Sequence, residues 1–220
     1  QRLIGSLCLN AEGTALAIGE KGKTAAEMMV FARYVMFSEV YWHHAVRGAT
    51  AMLQRGFYHI YESVDLDVLF RASETSMIHE LRVAAEGTPA APLFEGLFGP
   101  RRRLYKRLRQ FSLFENADLY RRMAGRPYHW LLTVGDQLAE KLSKHLGISV
   151  RSSQIFYFAK QQQYQNLGLV SPVVRALAQE QFDDYVKQVR FFVDPQLIDQ
   201  MRQLDDLSGL IEESLEAVGE

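Results

Sequence analysis

Cysteine is nearly absent from this chain of 220 residues, in which Cys8 is the single thiol. One thiol excludes an internal disulfide and favours a reducing compartment, so we expect a cytoplasmic protein. The chain also lacks any run of 18 apolar residues, which predicts that it has no membrane-spanning helix and no membrane partner. With 15 glycines and six prolines, it has too few of either for a collagen-like or low-complexity chain.

Neither sign of charge dominates the sequence, whose formal net charge is −1 and whose hydrophobic fraction is 48%. A chain this apolar buries enough surface to fold, which excludes intrinsic disorder. The near-zero net charge argues against a generally basic surface, so we expect no nucleic-acid partner. The two signs are nevertheless separated along the chain. Residues 101–109, RRRLYKRLR, carry six positive charges, whereas residues 179–220 are mainly acidic.

The order of apolar patterns predicts a mainly α protein with a smaller α+β part towards the C-terminus. Residues 3–18 are typical of a β-hairpin, because two apolar runs flank a turn sequence. A long helix is expected from Ala25 to about Tyr61, with Gly48 as the point where it bends. Apolar residues occur nearly all round this helix, which is typical of a buried one.

Later segments predict shorter elements. Helices are expected at residues 65–71, 73–85, 117–124, 128–146, 171–178, 197–204 and 210–218, and strands at residues 155–158 and 186–193. We place a helical domain with its leading hairpin at residues 1–115 and a smaller α+β region at residues 116–220.

Motifs for catalysis by this chain alone are missing. No two histidines have the His-x-x-x-His spacing of a metal site, and there is no Gly-x-Ser-x-Gly sequence. Gly22-Lys23-Thr24 lacks the earlier glycine of a phosphate-binding P-loop, since residue 17 is alanine. We therefore predict neither a catalytic residue nor a metal ligand within this sequence.

Charged residues inside the long apolar helix are more informative. On a continuous helix, Arg33, His44 and Arg47 fall within about 60° of one another, with Tyr41 and His43 on either side. One interpretation is a pocket for a phosphate or nucleotide, because arginine binds phosphate through two hydrogen bonds. The other is a network of structural salt bridges, and the spacing does not decide between them.

The basic run at residues 101–109 has two interpretations as well. Its side chains could contact phosphate groups. Alternatively, they form the solvated face of a helix whose Leu104, Tyr105 and Leu108 turn inward.

Residues 31–47, FARYVMFSEVYWHHAVR, resemble a helix of the HD-domain phosphohydrolases related to deoxynucleoside triphosphate triphosphohydrolases. Residues 104–107, LYKR, and the segments SPVVRAL at 171–177 and VRFFV at 189–193 resemble later parts of the same family. The resemblance implies a hydrolase of nucleotide phosphates that works as a homo-oligomer and uses a divalent metal ion. It implies substrate or nucleotide contacts by Arg33, Tyr41, His43, His44 and Arg47, and regulatory phosphate contacts by Lys106 and Arg107.

The family takes its name from His and His-Asp metal ligands, and no His-Asp dipeptide occurs in this sequence. In the relatives, those ligands precede the region that begins here at Gln1. We therefore expect the C-terminal portion of a longer enzyme, whose divalent metal this chain does not bind. The alternative is a non-catalytic module that senses nucleotides or mediates oligomerisation.

Overall fold

The computed structural model describes residues 1–158 and 188–219. The chain divides into two compact units, and their described parts are residues 1–43 and residues 44–158 with 188–219. This division does not coincide with the boundary expected near residue 115. The helix predicted at residues 171–178 lies outside the described residues.

The first unit opens with the predicted hairpin, which is confirmed. Strand β1 (Leu7–Leu9) pairs antiparallel with β2 (Leu16–Ile18). The Asn10 side chain fixes the turn, because its carbonyl oxygen accepts hydrogen bonds from the backbone amides of Thr14 and Ala15 at 2.9 and 3.1 Å.

A helical segment follows the hairpin, as expected, but it is not one continuous helix. Helix α1 (Lys23–Met36) continues into a π-helical turn at Phe37–Tyr41, and two further residues separate that turn from α2 (His44–Ile60). The Trp42 amide donates to the carbonyl of Phe37, five residues back, at 2.9 Å. This widened turn ends the first helix. The interruption therefore lies at Trp42 and not at the predicted Gly48.

The expectation of a helix buried on all sides is wrong for α1, in which no residue is buried. Met28 is 58% exposed and Phe31 is 46% exposed. The apolar residues that suggested burial thus form an exposed apolar surface, a feature that usually marks an interaction site.

A three-stranded antiparallel sheet organises the second unit. Strand β5 (Val189–Val193) lies between β3 (Lys106–Phe111) and β4 (Ile155–Phe158). All five residues of β5 are buried. Phe191 packs in one hydrophobic cluster and Phe192 in another, because successive side chains of a strand point to opposite faces.

Helices α2, α7 (Tyr128–Leu146) and α8 (Ile198–Arg202) contact the sheet. The other described helices of this unit are α3 (Leu66–Arg71), α4 (Glu74–Ala84), α5 (Ala91–Phe98), α6 (Ala117–Met123) and α9 (Leu207–Val218). Helix α2 packs on α5, and α7 packs on α9. The mainly helical class with a small sheet is therefore confirmed.

The basic run does not form the helix face considered above. Its second half is β3, which pairs with β5 so that Lys106 lies opposite Val193 and Phe111 lies opposite Val189. A register shift between Arg107 and Arg109 leaves Leu108 as a bulge. A strand with this many charged residues is stable here because β3 is at the edge of the sheet, where the charged side chains reach solvent.

Two helix glycines test this packing. A methyl group at Gly56 in α2 would lie 2.8 Å from the Phe94 ring of α5, whereas one at Gly135 in α7 would meet no atom within 4 Å. We expect Gly56→Ala to lower the free energy of unfolding by about 1–3 kcal/mol through overpacking. Gly135→Ala should raise it by up to about 1 kcal/mol, because alanine favours helix. Urea unfolding measures both, and equal changes would contradict the contact between α2 and α5.

Candidate functional site

The sequence-predicted site residues fall in both units. Arg33 in α1 and His43 are exposed, and Tyr41 is 49% exposed. The common helix face predicted for Arg33, His44 and Arg47 required an unbroken helix, and the interruption at Trp42 removes that premise. Roles for Arg33, Tyr41 and His43 in binding stay predictions.

Within the second unit, three of the predicted residues come together. His44, Lys106 and Arg107 line one cavity of about 190 Å³ together with Arg202. We call this the basic cleft and define it by those four side chains. It joins residues predicted separately, since His44 came from the long helix and the other two from the basic run.

Three elements of the second unit build the basic cleft. His44 is the first residue of α2, whose N-terminus carries a partial positive charge from the aligned peptide dipoles. Lys106 and Arg107 begin β3, and Arg202 ends α8. Each contributes a positive charge or a hydrogen-bond donor, so the cleft suits an anion.

Tyr105 anchors the cleft wall beside Lys106. It is 8% exposed, its hydroxyl donates to the Ser153 carbonyl at 3.0 Å, and its ring stacks on Phe156 at 4.7 Å between centroids. Burial raises the pKa of this hydroxyl well above its usual value, so Tyr105 stays neutral. The segment that leads into β3 is thereby held to β4.

Further positive charge lies on the α2-facing side of the sheet. Phe192 faces α2, where it lies against Gly48. Arg107 is opposite Phe192 on the neighbouring strand, and Arg190 is two residues from Phe192, so both arginines lie on the same face of the sheet as Phe192. Burial, together with nearby Arg107 and Arg47, lowers the pKa of Arg190 to about 10. Burial also lowers the pKa of Arg47. These guanidinium groups are thus close enough for their positive charges to affect one another.

Sequence reasoning missed Arg202, Arg190 and the anchoring role of Tyr105. Arg202 did carry a signal, because it is one of few basic residues in the acidic C-terminal section. Arg190 carried none, since it lies in an otherwise apolar strand whose neighbours only the fold determines.

The metal ion that the resemblance implies finds no place among the described residues. Within residues 1–158 and 188–219, no three His, Cys, Asp or Glu side chains lie close enough to bind one ion. We therefore derive no chemical step from metal ligation by this part of the chain.

Comparison with known proteins identifies the family of this chain. Residues 1–128 match the family model described as the HD associated region. This chain belongs to that family. The match links the chain to HD-domain proteins, in line with the resemblance at residues 31–47. A specific relation to the deoxynucleoside triphosphate triphosphohydrolases stays a proposal. No curated protein matches the chain.

Five solved chains match. One is a hypothetical protein from Aquifex aeolicus, known from a crystal structure at 2.0 Å resolution. It shares 19% sequence identity with this HD associated region, and the TM-score is 0.49. The match covers 91% of this chain and 49% of that one, so the chain spans about half the length of the solved protein. In the described part of this HD associated region, no helix is both long and apolar enough to cross a lipid bilayer.

Proposed function

We propose that this HD associated region serves a metal-dependent HD phosphohydrolase that acts on nucleotide phosphates. Its part is to bind phosphate groups in the basic cleft, while the divalent metal belongs to the HD domain. The observation that carries the proposal is the convergence of His44, Lys106, Arg107 and Arg202 on one cavity. The match to the HD associated region supports the link to the hydrolase.

The chemistry of the cleft favours phosphate over a carboxylate. A phosphate chain carries several negative oxygens, and it can be met by a guanidinium fork, an ammonium group and a helix N-terminus together. Arg190 and Arg47 add positive charge close to Arg107, which strengthens the field for a multiply charged ligand. A nucleoside triphosphate or another nucleotide phosphate ester therefore suits the cleft better than a single carboxylate does.

The exposed apolar surface of α1 supports association with an HD domain. Met29 is 56% exposed and Met36 is 46% exposed, in addition to Met28 and Phe31. An apolar surface of this kind gains stability when another folded part covers it. Because the family is defined by its association with HD domains, we assign that surface to HD-domain packing. Homo-oligomerisation remains a separate prediction.

Binding of phosphate to the basic cleft is tested with inorganic triphosphate and calorimetry. Lys106→Ala and Arg107→Ala should each weaken the affinity about tenfold or more, because each removes a charged hydrogen-bond donor. Arg102→Ala is the matched control, since it removes an exposed charge of the same basic run outside the cleft. Affinity should also fall as salt is added. An equal loss in all three variants would contradict a defined site.

The division of labour with an HD domain is tested by hydrolysis. With Mn²⁺ or Mg²⁺ and a panel of deoxynucleoside triphosphates, this chain alone should release no phosphate, whereas a longer protein that includes the HD domain should. Phosphate release by this chain alone would contradict the proposal. If the longer protein binds nucleotide without hydrolysing it, the non-catalytic sensing module is the correct assignment.

A further inference from the structure

A second, much smaller cavity lies in the second unit between α2, α7 and β4. Its volume is about 20 Å³, which admits one particle the size of a water molecule. Most of its wall is apolar and includes Leu131, Ile155 and Phe156. Its polar lining comes from Gln54, Arg55 and Tyr128, none of which belongs to the basic cleft.

Arg55 is the unusual member of this lining, because it is a charged side chain that is only 5% exposed. Its Nη2 donates to Ser152 Oγ at 3.2 Å and lies 3.8 Å from Asp136 Oδ1, beyond hydrogen-bond length. Its Nε is buried and, among the described residues, has no hydrogen-bond partner. A guanidinium carries five N–H donors, and the buried Nε–H is one that no described residue accepts.

The ion pair with Asp136 compensates this charge only in part. The Asp136 side chain is 58% exposed, so water screens its charge. Burial, and after it the charge of Arg55, lowers the pKa of His59, one helical turn further along α2, whereas the charge of Asp136 acts in the opposite direction. Leaving a buried guanidinium this poorly compensated costs free energy, and a bound anion would recover it.

Two further donors and an open space complete the site. Burial raises the pKa of Tyr128 to about 12, so its hydroxyl remains a donor at any physiological pH. Gln54 offers an amide. Gly135 is buried in α7, and a methyl group there would meet no atom within 4 Å, so the absent side chain leaves room in the wall.

We propose that this cavity holds a single chloride ion against the Arg55 guanidinium. A cavity of about 20 Å³ matches a one-atom ion better than a carboxylate or phosphate, which brings several heavy atoms. Water fits but brings no negative charge. A monovalent, one-atom anion satisfies both the volume and the charge, and apolar walls favour chloride because it loses its hydration more cheaply than a multiply charged ion.

The test is the melting temperature of the protein in sodium chloride compared with sodium gluconate at equal ionic strength. Gluconate is too large for the cavity. Chloride at about five times its Kd should raise Tm by about 2–4 °C, and the rise should saturate. Without a chloride-specific, saturable shift, the proposal is wrong.

Three variants locate the effect. Arg55→Gln should abolish the chloride shift. Gly135→Ala fills the open space without a clash, so it should fold normally and still lose the shift, which keeps the test valid if Arg55→Gln fails to fold. Arg82→Gln removes an exposed arginine that pairs with Glu95, and it should retain the full shift.

Crystals grown in bromide provide a direct observation. An anomalous peak beside Arg55 would support the site. Its absence, or a chloride shift that persists in Gly135→Ala, would overturn it.

Discussion

The second unit depends on one constraint, which is the burial of strand β5 along its whole length. Because both faces of β5 are covered, its odd and even residues must each find a hydrophobic layer, and they do so in two separate clusters. Because β5 is buried, α2 must approach this strand closely. Gly48 lies against Phe192, where a methyl group would come within 3.2 Å of the ring. A larger residue at position 48 would push α2 away from the sheet.

The same constraint places the positive charges. Since Phe192 must face α2, its neighbour Arg190, two residues back on the same face, is buried there as well. Pairing of β3 with β5 then brings Arg107 to that face, and Tyr105 holds the preceding segment through its bond to Ser153. The basic cleft is thus a consequence of how the hydrophobic core is divided. Burial disfavours the charged forms of Arg190 and Arg47 there, so the packing of the core holds these groups in place at a cost in free energy.

The sequence predicted local features well because their signals are local. Asn10 and the glycine beyond it predict the hairpin, and Gly147 ends α7 in the left-handed conformation expected of a helix C-cap. Asp65 and Ser73 cap α3 and α4 through hydrogen bonds to backbone amides, so both helices begin close to the expected residues 65 and 73.

Features that depend on distant partners were not predictable in the same way. Apolar residues on every side of α1 cannot distinguish burial inside one chain from a surface for a partner, and the structure shows exposure. The basic run was compatible with a helix, yet its second half pairs as strand β3 along the edge of β5. Arg202 joins His44 and Lys106 only through the tertiary fold. The family resemblance led us to expect phosphate contacts by Lys106 and Arg107, and the structure places both residues in one cleft with His44 and Arg202.

The central claim is that one phosphate-binding site is built from α2, β3 and α8. The most direct measurement is a titration of inorganic triphosphate into the isotope-labelled protein, followed through its backbone amide NMR signals. The account predicts that the amides of His44, Lys106, Arg107 and Arg202 shift together with one common Kd. Shifts confined to the groove lined by Arg82 and Arg103, or no saturable shift at those four positions, would contradict it.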